Sequence, residues 1–384
     1  MNIGLFTDTY YPQINGVATS LLTLEKELTA MGHKVYIFTV SDPNATHKDN
    51  VFRMPSMPLF FSKGHRIGIS YPPQILLTIR KLKLDLIHTH SEFTLGIFGK
   101  VVSEVLGIPL IHTYHTMWED YVHYVGGGHV VGPKAARLYS RIFCNRAKVV
   151  IAPTAKTKES LLSYGVKKPI KIIPTGIDFA PFSPSSYSAD EISALRESIG
   201  LKPKDKVLLS IGRVAKEKSM DLILRNLPKI AEHIPKIKMV IVGDGPALED
   251  IKALAKTLGL KKHLLCTGSR PFAEIGKYYQ IGDVFVSAST SETQGLTYAE
   301  AMAAHLPVVA KLDKSITGLI KHKETGYTFE TQEEMIDAVV DAIANKKERE
   351  RIISHALKSL KPMSSQRFGH SIAALYADVV FNGA

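Results

Sequence analysis

The chain has 384 residues, 45% of them hydrophobic and 22% charged, with a formal net charge of +12. That length suits two domains of about 100–200 residues each, and the composition excludes a largely disordered or fibrous chain. Its two cysteines, Cys144 and Cys266, lack Cys-x-x-Cys or zinc-ligand spacing, which excludes a disulfide scaffold and points to a reducing, cytoplasmic compartment.

In chain order, the opening Met1-Asn2-Ile3-Gly4-Leu5-Phe6 has no basic region and runs straight into a strand pattern, unlike a signal peptide. Further strands are expected at 34–40, 84–90, 109–115, 149–154 and 170–174, the first at 2–7, with helices between most of them. The second half repeats this logic at 206–212, 238–242, 264–267, 284–287 and 307–310, with helices such as 220–233 and 247–258. Apolar runs alternating with amphipathic stretches are the pattern of parallel sheets covered on both faces, so an α/β chain with two doubly wound sheets is expected. Between the halves, 176–188 holds Gly176, Pro181, Pro184 and four serines, a turn-rich linker. The expected domains are 1–175 and 189–361, with 362–384 free to cross back onto the first.

No apolar run reaches the roughly 18 residues that span a bilayer, so membrane contact would be peripheral. The charge is uneven. Met1 to Ala180 holds 20 Lys and Arg against 12 Asp and Glu, and between Gly126 and Ile172 ten basic residues face the single acid Glu159. Such a bias calls for an anionic partner.

Three constellations carry chemistry. After the strand at 284–287 comes Ser291-Glu292-Thr293-Gln294-Gly295-Leu296-Thr297-Tyr298-Ala299-Glu300. A glycine at a strand-to-helix turn lets backbone N–H groups, here at Gly295 and Leu296, point at a phosphate. Glu292 before the helix and Glu300 on its exposed face can accept bonds from two separate groups of hydroxyls, or else simply cap the helix and face water. The second is Gly212-Arg213-Val214-Ala215-Lys216-Glu217-Lys218 at a strand end, where Arg213 and Lys218 can hold a diphosphate. In the third, Gly16 opens a helix within Tyr11-Pro12-Gln13-Ile14-Asn15-Gly16-Val17, without the Gly-x-Gly-x-x-Gly pattern of dinucleotide sites. The pairs His88 with His90 and His112 with His115 lack the carboxylate or thiolate partners of a metal site.

Together these residues resemble the retaining GT-B glycosyltransferases of family 4 over essentially the whole chain. Glu292 and Glu300 match the family's Glu-x7-Glu, Arg213 and Lys218 its Arg and Lys pair, and Val242-Gly243-Asp244-Gly245-Pro246 its second-domain pattern. The resemblance implies two Rossmann-like domains facing across a cleft, a sugar-nucleotide donor and no strictly required metal or other cofactor. It further implies that Glu292 contacts the hexose, Glu300 the ribose, and Arg213 and Lys218 the diphosphate. Gly16 and His115, of His112-Thr113-Tyr114-His115-Thr116, would serve from the first domain; without the resemblance His115 reads as a satisfied core histidine. Many members have Pro-Phe after the first glutamate, whereas Thr293-Gln294 stands here, as in the subset that glucosylates diacylglycerol in Gram-positive bacteria for glycolipids such as lipoteichoic acid anchors. The runs Phe6-Thr7-Asp8-Thr9-Tyr10-Tyr11-Pro12 and Thr113 to Tyr121 resemble the same subset.

The resemblance therefore implies glucose transfer from UDP-glucose to diacylglycerol, by an enzyme attached peripherally to the inner face of the cell membrane. Phe60 and Phe61 beside Lys63, His65 and Arg66, and the mixed segment 75–83, suit an interfacial anchor, or else cap a core. Another sugar nucleotide, a soluble or phosphatidylinositol-like acceptor, and a sugar-nucleotide epimerase are rival readings. A nucleic-acid-binding protein is suggested by charge alone, and no recognition motif supports it.

Overall fold

Runs such as Leu86–Thr89 and Val149–Ala152 are buried at every residue, which a strand requires when its sheet is covered on both faces. The computed structural model describes residues 1–13, 15–59, 66–117, 132–290 and 292–383. They fall into two units, Met1–Gly176 with Ser365–Ala384, and Ile177–Ser364.

The first unit runs β1 (Asn2–Phe6), α1 (Gly16–Ala30), β2 (Lys34–Val40), β3 (Val51–Met54), β4 (Ser56–Pro58), β5 (Arg66–Gly68), α2 (Pro73–Leu82), β6 (Leu86–Thr89), α3 (Thr94–Leu106), β7 (Leu110–Thr113), α4 (Pro133–Cys144), β8 (Val149–Ala152), α5 (Ala155–Ser163) and β9 (Ile170–Ile172). Seven strands form one sheet in the order β3-β2-β1-β6-β7-β8-β9, every pair parallel, while β4 and β5 form a separate antiparallel ribbon. Period-two alternation sends Ile3 and Leu5 into one core with Leu21, Leu24 and Leu28 of α1, and Phe6 into the other with Phe38 and Val102.

The second unit runs α6 (Ala189–Ser198), β10 (Lys206–Ile211), α7 (Met220–His233), β11 (Ile237–Val242), α8 (Leu248–Thr257), β12 (Leu264–Gly268), α9 (Phe272–Tyr279), β13 (Val284–Ser287), α10 (Leu296–Ala303), β14 (Val308–Lys311), β15 (Tyr327–Phe329), α11 (Gln332–Ala344) and α12 (Lys346–Ser359). Its sheet has the order β12-β11-β10-β13-β14-β15, again all parallel. Both orders reverse direction beside their first strand, the Rossmann pattern, so each sheet has a switch point where loops from two strands part and leave a crevice. These are β1 with β6, and β10 with β13.

The last helix, α13 (Ser365–Phe381), belongs to the first unit. Phe368, Ile372, Tyr376 and Val379 join the α1 core, and a Cβ at Gly369 would stand 2.5 Å from that of Glu27, so only glycine permits this approach. The Pro- and Ser-rich segment 176–188 does not stand free: it makes two 3-10 turns, and Phe182 is buried in the second unit's core.

The expected strands are present, but several end one or two residues early. Thr7, His90, His115 and Gly212 lie beyond the last ladder pair, because the chain there turns out over the carboxyl edge. β3, β15 and the β4–β5 ribbon go beyond the expected set.

Candidate functional site

In the second unit the switch point gathers the predicted donor residues. After β10, Gly212 N–H donates to Val242 O at 3.0 Å and Val214 N–H to Asp244 O at 2.9 Å. The two loops touch backbone to backbone: a Cβ at Gly243, whose φ is +151°, would fall 1.9 Å from Gly212 O. This packing fixes where Arg213 leaves the sheet edge. Its guanidinium pairs with Glu217, four residues on. A 3-10 turn, Lys216–Lys218, then carries Lys218, whose Nζ lies 2.5 Å from Oε1 of Glu292 beyond β13. Residues 74 apart in sequence thus meet because β10 and β13 are neighbours.

Gly295 caps α10 in the left-handed conformation, φ +72°, and a Cβ there would strike Tyr298 Cδ2 at 2.4 Å. The glycine turns the chain so that the first N–H groups of α10, at Leu296 and Thr297, lack intrahelical partners and form a positive helix end. Two cations, two carboxylates and this helix end suit a ligand with a diphosphate and hydroxyls.

Glu300 corrects the expectation that it lies on an exposed helix face. It is 8% exposed and accepts a 2.7 Å bond from Tyr279 Oη, which also reaches Thr297 O at 3.3 Å. Burial raises its carboxyl to about 7, against the lowering effect of the Tyr279 bond. The signal was present in Leu296–Ala303: Ala299, Ala301, Met302 and Ala303 are buried around it, and a helix without a polar face buries its one charge too. Tyr279, which holds that charge, escaped the sequence reading.

In the first unit, Gly16 is exposed at the start of α1, beyond β1. Asn15 caps the helix by accepting from Ala18 N–H, and its amide donates to Thr9 Oγ1 at 2.7 Å, which ties the preceding loop. His115 follows β7 and is half-buried, with its Nε2 3.1 Å from Nδ1 of His90. Burial, then the nearby His112, lowers its pKa to about 3, so the ring is neutral. Among the described residues, no group of three or more His, Cys, Asp or Glu is arranged to hold a metal ion.

The basic bias resolves into a surface. On α4, Ala136, Ser140, Phe143 and Cys144 face inward, while Lys134, Arg137 and Arg141 are exposed beside Leu138, Tyr139 and Ile142. Adjacent α3 exposes Ile97, Val101 and Val105, one helical turn apart each time. Arg146 lies 3.8 Å from Glu104 and Tyr139 Oη bonds Glu92 O, so the two helices run side by side. In α2, Ile75 and Leu76 line an apolar cavity of about 250 Å³ with Tyr71, Phe98 and Val101, while Leu77 is exposed near Arg80 and Lys81. Phe60, Phe61, Lys63 and His65, like Ile14, Ser291 and residues 118–121, lie outside the described residues. None of the described helices is long and apolar enough to cross a membrane.

The family profile "Glycosyltransferase Family 4" matches residues 14–180, and "Glycosyl transferases group 1" matches 191–359. The chain is 37% identical to the alpha-monoglucosyldiacylglycerol synthase of Streptococcus pneumoniae, over 100% of this chain and 87% of that protein. It is 33% identical to the enzyme of the same name from Acholeplasma laidlawii, over 99% and 98%. Among solved structures, Anabaena Alr3699/HepE in complex with UDP and glucose matches with a TM-score of 0.81 at 19% identity, over 98% of this chain and 100% of that one. Sucrose-phosphate synthase from Thermosynechococcus elongatus matches at 0.77 and 19%, over the whole of both chains.

Proposed function

The chain belongs to glycosyltransferase family 4, and from that premise we propose that it transfers glucose, with retention, from UDP-glucose to 1,2-diacylglycerol at an anionic membrane surface. The observation that carries the donor half is the meeting of Arg213, Lys218 and Glu292 with the Gly295-led helix end at the second switch point. In this reading the bond from the anomeric carbon to the diphosphate breaks while Arg213, Lys218 and the α10 N–H groups take up the developing charge. The lipid hydroxyl attacks the same face and gives its proton to the departing diphosphate. Glu292 orients the hexose and Glu300 the ribose, and the family resemblance assigns Gly16 and His115 to the donor as well.

The acceptor half is supported by the two relatives named for glucosyldiacylglycerol synthesis and by the exposed apolar and basic face of α3 and α4. Labelled UDP-glucose with vesicles that contain or lack diacylglycerol tests it, with the product identified by mass spectrometry. Lipid-independent transfer to a soluble sugar would replace the acceptor assignment. Because protein cations handle the leaving group here, dialysis against EDTA is expected to leave more than about half of the turnover. Complete loss, restored by a divalent ion, would count against that division of labour.

The buried carboxyl predicts a pH dependence. Free Glu300 keeps its proton up to about pH 7, whereas accepting bonds from ribose hydroxyls favours the ionised form. UDP binding below pH 7 must therefore expel a proton. Affinity is expected to rise from pH 5.5 to 7 and level off above, by up to about tenfold per unit. Calorimetry on Glu300→Gln supplies the control, since UDP itself titrates near pH 6. Parallel pH profiles for both proteins would remove Glu300 from the binding site.

A further inference from the structure

His115 is backed by buried side chains that the donor reading leaves unused. Its ring and that of His90 lie 5.3 Å apart, inclined by 25°, with 3.1 Å between His115 Nε2 and His90 Nδ1. His90 packs on His88 with ring centres 3.9 Å apart. His88 is held at both nitrogens, by Tyr376 Oη at 2.5 Å and Thr113 Oγ1 at 2.7 Å. His90 is 2% exposed, and among the described residues its Nε2 has no hydrogen-bond partner.

One proton lies between His90 and His115, so one ring donates and the other accepts. Burial holds His88 and His90 well below the usual histidine range, as it does His115, so all three rings are neutral and each carries one N–H. If His115 Nε2–H donated, His90 would bear its proton on Nε2, burying an N–H without an acceptor, which native structures rarely leave. If His90 Nδ1–H donates, its Nε2 keeps only a lone pair, and His115 bears its proton on Nδ1. The second arrangement is the less costly.

We propose that His90 is a positioning residue for glycosyl transfer: its Nδ1–H locks His115 in the Nδ1–H tautomer and fixes its ring, and Tyr376 on α13 braces the stack through His88. The nitrogen His115 leaves for a ligand is then a hydrogen-bond donor, suited to a sugar oxygen. The proposal rests on the reading that His115 acts on the donor sugar. It gives the returning C-terminal helix a part in the site, because α13 supplies the hydroxyl at the far end of the stack.

The test uses the full chain labelled with 15N-histidine, read by long-range 1H–15N spectra, alongside turnover of UDP-glucose with diacylglycerol in mixed micelles. The parent is expected to show His115 as a single Nδ1–H tautomer, and His90→Leu a mixture. His90→Leu should lower kcat on the order of 10- to 100-fold, with KM for UDP-glucose within about twofold. His90→Asn, whose amide N–H stands near the position of Nδ1–H, should recover most of kcat and the single tautomer; Tyr376→Phe should lower kcat a few fold. An Nε2–H tautomer of His115 in the parent, or parental kcat in a folded His90→Leu, overturns the proposal. Should His90→Leu fail to fold, the parent spectrum and the Asn variant decide. Full turnover by His115→Ala would instead remove the donor role on which the proposal rests, while the spectra would still show whether His90 sets the tautomer.

Discussion

Arg213→Ala is expected to lower turnover of UDP-glucose by about 100- to 1,000-fold, because a preorganised donor aimed at a developing oxyanion is worth that much. The fold should survive the change. Arg213 extends from a loop held by backbone bonds at Gly212 and Val214, and its side chain is 37% exposed, so truncation removes neither core nor ladder. Arg213→Lys should recover only part of the loss, since a point charge replaces a planar fork. Glu217→Gln removes the carboxylate that pairs with Arg213 and separates orientation from charge: a small loss there says that the guanidinium finds the diphosphate without it. Parental turnover in a folded Arg213→Ala would withdraw its assigned role.

The parts of this site legible in the sequence are those set by local rules. Gly295 and Gly243 mark positions where a side chain would collide with Tyr298 or with Gly212 O, and a strand-to-helix turn with glycine reads directly as an anion-ready helix end. Parallel strands were legible because both faces are buried, leaving unbroken apolar runs such as Val284, Phe285 and Val286. What stayed hidden depends on register and return of the chain. β15 is three residues, Tyr327–Phe329, and takes its identity from pairing with β14 rather than from its own pattern. His88 and His90 sit near His112 and His115 because β6 and β7 pair with Thr89 opposite His112, and Tyr376 arrives from the far end of the chain. Local periodicity carries no record of such neighbours. Glu300 was misplaced although its signal was local: Leu296–Ala303 has no polar face, so its one charge is buried with the apolar residues beside it.

Replacing Lys134, Arg137, Arg141 and Arg146 together with glutamine is expected to weaken binding to anionic vesicles on the order of 100-fold. Each basic side chain near such a surface contributes about 1 kcal/mol, and Arg146 is discounted because it shares its charge with Glu104 at 3.8 Å. Salt gives an independent arm: parental binding should fall between 0.1 M and 1 M as the Debye length shrinks from about 10 Å to 3 Å. The variant, having lost that term, should respond far less. Apolar contact from Leu138 and Ile142 is indifferent to salt screening and should leave both proteins a common residual affinity. UDP binding should hardly change, since Arg213, Lys218, Glu292 and Glu300 all belong to the other unit. Lipid glucosylation should fall with vesicle binding and recover at high vesicle concentration. If the quadruple variant binds anionic vesicles as tightly as the parent, these cations form an ordinary solvated face, and docking must rest on exposed apolar residues such as Leu138 and Ile142.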